Sequence, residues 1–138
     1  MALKLVRDLM QIGVKTCREN TPLAEAARIL LGEQLESLIV LNEHGHAVGM
    51  LTRPNVVSAY GRAGASEQGH QSLTAGDVMR PDILEIPPDI PATAAALMML
   101  DQGFRAAYLL HHDGGMGWPA AVFRFDDVLR YLAEESDI

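Results

Sequence analysis

The sequence predicts an α/β (α+β) fold built from two pseudo-twofold-related β-α-β-β-α units packed sheet to sheet. The first observation behind this is that the chain repeats itself. At a shift of 69 positions (77 minus 8), Asp8-Leu9-Met10 falls on Asp77-Val78-Met79, Pro22 on Pro91, and Ile39-Val40-Leu41 on Tyr108-Leu109-Leu110. Three residues then enter (72 minus 69), and Val48-Gly49-Met50-Leu51 lies over Ala120-Ala121-Val122-Phe123. The second observation is that each copy alternates between apolar residues at helical spacing and short continuous apolar runs, as strands and helices in turn require. The third is size: one copy is too small to hide both a sheet and its helices, so two copies are expected to bury their apolar faces together.

The first unit is read as 5–61. Thr21 is placed as a helix cap, with Pro22 at the first helical position, where a missing N–H has no partner to lose. Leu23, Ala26, Ala27, Leu30 and Leu31 follow as one apolar stripe. Ser37–Leu41 reads as a buried strand, Asn42-Glu43-His44-Gly45 as a turn, and Ala47–Thr52 as a second strand. Pro54 then opens a helix through about Tyr60. The polar, Gly-rich stretch 62–73 is the linker. The second unit, 74–135, repeats the order. Its helix carries Ala92, Ala95, Ala96, Met99 and Leu100, its strands run at about Ala106–His111 and Ala120–Phe125, and its last helix runs from Asp126 to about Glu134. The extra residues fall in an expected loop, His112–Pro119.

With 49% hydrophobic and 21% charged residues, the composition is that of a globular domain. No apolar run approaches the ~20 residues that span a bilayer, so no membrane association is expected. The N-terminus lacks the pattern of a secretory signal. The single Cys17 rules out an internal disulfide and suits a reducing compartment, so the expected location is cytoplasmic. A net charge of −7 argues against nucleic acid, whose phosphates need basic surface. The five His residues match no zinc spacing. No nucleophile–base arrangement, paired acids or phosphate loop is present, so no enzyme activity is expected.

Two Asp-x-Met openings, short strands leading to Pro-initiated helices, and the matched segments Gly49-Met50-Leu51-Thr52-Arg53-Pro54-Asn55 and Ala121-Val122-Phe123-Arg124-Phe125-Asp126-Asp127 occur in one order, twice. In this the chain resembles a tandem pair of cystathionine β-synthase (CBS) domains, a Bateman module. The resemblance implies an adenosyl ligand (AMP, ADP, ATP or S-adenosylmethionine) in an inter-domain cleft, with no cofactor required and no metal. It also implies a partner in the form of a second copy, a homodimer made through helices with Met98-Met99 as part of the face, and an unidentified protein that reads the ligand-linked shape change.

By the same resemblance, Asp127 holds the ribose hydroxyls and Arg124 and Arg105 meet phosphate, while Ile83, Leu84 and Ile86 flank adenine; this second cleft is favoured. The first cleft, with Thr52, Arg53, Asn55, Val14 and Thr16, is weaker, because Asn55 stands where the family has Asp and Glu36 where the second copy has Arg105. Independent physics agrees: a carboxylate accepts both protons of a diol, and a helix N-terminus favours an anion. The competing reading is a ligand-free dimerisation or scaffold module with degenerate clefts. Asp127 and Asn55 also suit a helix's first turn for purely structural reasons. The structural alternative for Arg105 is a solvated end or an ion pair with Asp101, one turn before it.

Overall fold

The fold is described from a computed structural model over residues 3–64 and 69–135, so 65–68 of the expected linker lie outside the described residues. The elements in chain order are α1 (Val6–Leu9), β1 (Gln11–Ile12), β2 (Thr16–Arg18), α2 (Leu23–Gly32), β3 (Ser37–Leu41), β4 (Ala47–Thr52), α3 (Arg53–Arg62), α4 (Ala75–Val78), α5 (Ala92–Gln102), β5 (Ala106–Asp113), β6 (Met116–Arg124) and α6 (Phe125–Glu135). They gather into two compact units, neither of which is one continuous stretch. The α2/α3 unit holds Lys15–Ile83 with His112–Trp118; the α5/α6 unit holds the chain up to Val14, Leu84–His111 and the chain from Pro119. Each unit contains a three-stranded sheet, and the mixed α/β fold of two repeated units is as the sequence predicts.

In the α2/α3 unit the sheet order is β2-β3-β4. β2 runs parallel to β3 with Thr16 opposite Ile39, and β3 runs antiparallel to β4 with Ile39 opposite Met50. Arg80 extends the sheet by exchanging two backbone bonds with Met50, at 2.8 and 2.9 Å. Leu38, Val40 and Leu51 turn inward against Ala26 and Leu30 of α2 and Ala75 of α4. Burying a Leu or Val side chain in this way contributes about 1.5–3 kcal/mol. Gly49 is obligatory here: a Cβ at this position would lie 2.5 Å from Met79 Sδ and 2.7 Å from the Arg80 carbonyl oxygen.

The α5/α6 unit has the order β1-β6-β5. Gln11 sits opposite Val122 and Ile12 opposite Ala121, the image of Arg80 opposite Met50 at shifts of 69 (80 minus 11) and 72 (122 minus 50). Helix α1 packs on α5 and α6, and Val6, Ala95, Met99, Tyr108 and Phe123 are buried. The expected short strand of the second copy is reduced to one bridge, Glu85 with Tyr108. Pro87 and Pro88 stop it, because proline has no N–H to give to a ladder.

Several sequence expectations need correction. Thr21 does not cap α2: its Oγ1 accepts from the Arg18 N–H at 2.9 Å, closing the preceding turn, and Pro22 is the N-cap. Local bonding of a Thr hydroxyl to its own turn competes with capping. Leu31 and Leu100 leave the expected stripes and are 66% and 65% exposed, since each lies about 100° round the helix from its buried predecessor (Leu30 or Met99). Met99 is fully buried, which removes it from any helix face open to a partner. His112–Pro119 is not a loop. Gly114 and Gly115 both take positive φ, 61° and 83°, the geometry of a two-residue hairpin turn. The inserted residues therefore lengthen β5 and β6.

Candidate functional site at the starts of the last helices

Five of the positions singled out by the sequence, Thr52, Arg53, Asn55, Arg124 and Asp127, lie where a strand ends and a helix begins. At the start of α3, Thr52 and Asn55 are engaged with each other. The Asn55 N–H donates to Thr52 Oγ1 at 3.2 Å, while the Thr52 N–H and hydroxyl donate to Asn55 Oδ1 at 3.3 and 2.6 Å. This is a capping box. Arg53 turns back to the end of α2: its Nε donates to the Leu35 carbonyl at 2.6 Å and Nη2 to the Leu30 carbonyl at 3.0 Å. It satisfies the Leu35 carbonyl just past the helix and adds a second bond to the Leu30 carbonyl, which already accepts from the Leu35 N–H at 2.8 Å. Thr16 lies in β2 opposite Ile39, within the same unit, whereas Val14 belongs to the α5/α6 unit.

The start of α6 repeats the geometry with different chemistry. Asp127 is fully buried, with 0% side-chain exposure. Its Oδ2 accepts from the Arg124 N–H at 2.8 Å, capping the helix. Its Oδ1 accepts from Gln11 Nε2 at 3.1 Å and from Arg130 Nη1 at 2.9 Å. Gln11 arrives on β1 and Arg130 from the next turn of α6, and sequence reasoning identified neither. Gln11 is 116 positions away from Asp127 (127 minus 11), and no local pattern signals the pairing.

Arg124 carries a buried Nε with no hydrogen-bond partner among the described residues. Leaving a buried donor of a charged group unmet is costly. Arg105 stacks its guanidinium over the Phe125 ring, 5.7 Å from Cζ to the centroid, rather than forming the ion pair with Asp101 that its position allowed. Phe125 occupies the position of Arg53 (125 minus 72). The first copy therefore uses its arginine to tie down α2, while the second stacks Arg105 on the Phe125 ring and carries Arg124 as the residue immediately before that ring. Of the apolar candidates, Leu84 and Ile86 are core residues, 6% and 2% exposed. Ile83 ends the segment belonging to the other unit.

The α5/α6 unit also holds a concavity of about 690 Å³, lined by Met10, Ile12, Ile86, Pro88, Leu110 and Ala120 among others. Only Ile86 among these was a site candidate from the sequence. The readable signal was Pro87-Pro88 standing where the first copy has Arg18-Glu19 (87 minus 69, 88 minus 69). Cys17 is buried, and burial, followed by the charge of Glu25, pushes its thiol up to about 11. Among the described residues no group of three His, Cys, Asp or Glu is placed to hold a metal. The chemistry on offer is anion and donor–acceptor recognition.

Comparison with known proteins gives a consistent picture. The family model for the CBS domain matches residues 6–62 and 75–134. The chain is 43% identical over 56 residues to the chloroplastic CBS domain-containing protein CBSX2 of Arabidopsis thaliana, covering 41% of this chain and 24% of that one. It is 27% identical over 96 residues to inosine-5'-monophosphate dehydrogenase of Thermoplasma acidophilum, covering 70% of this chain and 20% of the enzyme. The chain thus spans about a quarter or less of the length of these relatives. Among solved structures, the CBS domain pair of protein MJ0100, in complex with 5'-methylthioadenosine and S-adenosyl-L-methionine, superposes with a TM-score of 0.79 at 20% identity, over 97% of this chain and 99% of that one. CBSX2 in complex with AMP superposes with a TM-score of 0.76 at 18% identity, over 96% and 98%.

Proposed function

The chain belongs to the CBS domain family, one family domain in each repeat, and from that premise we propose that it is a regulatory module that binds an adenosyl ligand and passes the bound state to a partner protein. The observation that carries this reading is the unmet, buried Nε of Arg124, next in sequence to the ring on which Arg105 stacks. An anionic ligand oxygen at Arg124 supplies the missing acceptor, and two guanidinium groups suit a phosphate or carboxylate. That relatives of this fold are solved with AMP and with S-adenosyl-L-methionine supports the class of ligand. In this reading Asp127 accepts ribose hydroxyls only if Gln11 or Arg130 releases Oδ1. Ligand arrival is thereby coupled to rearrangement of β1 and α6, a differential contact through which binding shifts a conformational equilibrium. The enzyme relatives are much longer than this chain, and the module is proposed to regulate rather than catalyse.

The exposed Leu97, Leu100, Leu129 and Leu132 of α5 and α6 support a homodimer through helices. The lone reduced Cys17 supports a cytoplasmic location. A ligand-free scaffold is the second reading, and a specific observation favours it: Thr52, Arg53, Asn55 and Asp127 all have internal partners. Calorimetry with AMP, ADP, ATP and S-adenosylmethionine separates the two. Binding of at least one of them, weakened about ten- to a hundredfold by Arg124→Ala, is expected from the loss of one charge-assisted bond. If none binds tighter than about millimolar, the scaffold reading replaces this one.

A further inference from the structure

We propose that the concavity beside Leu110 in the α5/α6 unit is a separate small-molecule site for a planar, apolar ligand that carries cationic or neutral N–H donors. It shares Ile86 with the residues expected to flank adenine, but none of Arg105, Arg124 and Asp127 lines it.

The site follows from one difference between the copies. In the first, the parallel ladder continues past β2: the Glu19 N–H donates to the Leu41 carbonyl at 3.1 Å. In the second, the ladder begins in the same way, with Tyr108 N–H to the Leu84 carbonyl at 2.8 Å and Ile86 N–H to the Tyr108 carbonyl at 3.0 Å. The next bond would run from residue 88 (19 plus 69) to residue 110 (41 plus 69). Residue 88 is proline and has no N–H. Leu110 thus lacks the backbone donor that Leu41 has, and β5 is the edge of its sheet among the described residues. An edge carbonyl without its ladder partner is an acceptor in search of a donor.

The surroundings select the ligand. Pro88, Leu110 and Ala120 line the concavity together with Ile12, which is 80% exposed. Its volume of about 690 Å³ lies within the range typical of small-molecule sites. The polar side chains lining it are Glu85 and His111, and no lysine or arginine is among its lining residues. With Glu85 and His111 each engaged by partners of their own, the backbone acceptor at Leu110 amid apolar walls favours a flat ligand that brings N–H donors over one that brings only acceptors.

Benzamidine and benzoate, a cation and an anion of nearly one shape, test this in an NMR titration of the full chain. Benzamidine is expected to shift the amide and methyl resonances of Ile12, Leu110 and Ala120, and to bind at least about tenfold tighter than benzoate. Pro88→Ala returns an N–H to the Leu110 carbonyl and is expected to weaken benzamidine several-fold. Ala120→Leu fills the floor and is expected to do the same, and it decides the matter should Pro88→Ala fail to fold. Equal affinity for the two compounds, shifts centred on other residues, no binding up to about 20 mM, or unchanged binding in folded variants would each overturn the proposal.

Discussion

Replacing Asp127 separates its part in holding the fold from any part in binding. The side chain has 0% exposure and accepts three hydrogen bonds, from the Arg124 N–H, Gln11 Nε2 and Arg130 Nη1. Asp127→Ala removes a helix cap, worth about 1 kcal/mol, and a charged acceptor, worth about 1.5–3 kcal/mol for its stronger bond. The Arg130 partner is 48% exposed, so water recovers much of that ion pair and it adds little. The sum is about 3 kcal/mol, or roughly 10 °C in melting temperature for a domain of this size. Asp127→Asn is the control. Asn55 already performs the same cap in the first copy, accepting from the Thr52 N–H, so the amide is expected to cost only about 1 kcal/mol. Urea unfolding monitored by circular dichroism measures both. If Asp127→Ala loses less than about 0.5 kcal/mol, or if Asn and Ala are equally damaging, the capping account of Asp127 is wrong.

Arg53→Ala is expected to lose about 1–2 kcal/mol by freeing the Leu35 carbonyl, the Leu30 carbonyl keeping its bond from the Leu35 N–H, and to leave the affinity for any adenosyl ligand unchanged; parallel unfolding and calorimetry check both halves. Cys17 should resist alkylation by iodoacetamide at pH 8 in the folded state, because burial holds its thiol near 11 and only the thiolate reacts. The sign of the pH effect follows from a folded value raised above the ordinary 9.0. Stability from Cys17 is complete below pH 9 and declines as pH rises from about 9 to 11. Unfolding curves of Cys17→Ala across that window should be flatter than those of the native chain.

The correspondence between the two sheets was legible in the sequence, though not the pairing within either. The shift that lays Thr16 on Glu85 and Ile39 on Tyr108 carries the pairing of the first two onto the bridge between the second two. Apolar spacing found the helices because burial of one face dictates it. What stayed hidden was where polar side chains turn once helices start. Arg53 and Arg124 both precede Asp or Asn near a helix start, yet Arg53 reaches back to α2 while Arg124 keeps an unmet nitrogen. Those outcomes depend on carbonyls and cavities supplied by distant chain, and a local pattern does not contain them. Pro87-Pro88 was visible as composition, but its effect on Leu110 became clear only when the ladder of the first copy was known.

The composition of the compact units bears on how such a chain arose. The α5/α6 unit takes α1 and β1 from the first repeat, and the α2/α3 unit takes α4 and the Arg80 bridge from the second. A gene encoding one repeat alone would leave its sheet short of an edge and its core open where Val6 or Ala75 now sits. Such an ancestor reaches the same packing by lending its opening segment to another copy and borrowing one in return. Fusion of two copies then turns that mutual exchange into a covalent arrangement, and cutting the chain within the linker yields halves that fold only by finding each other.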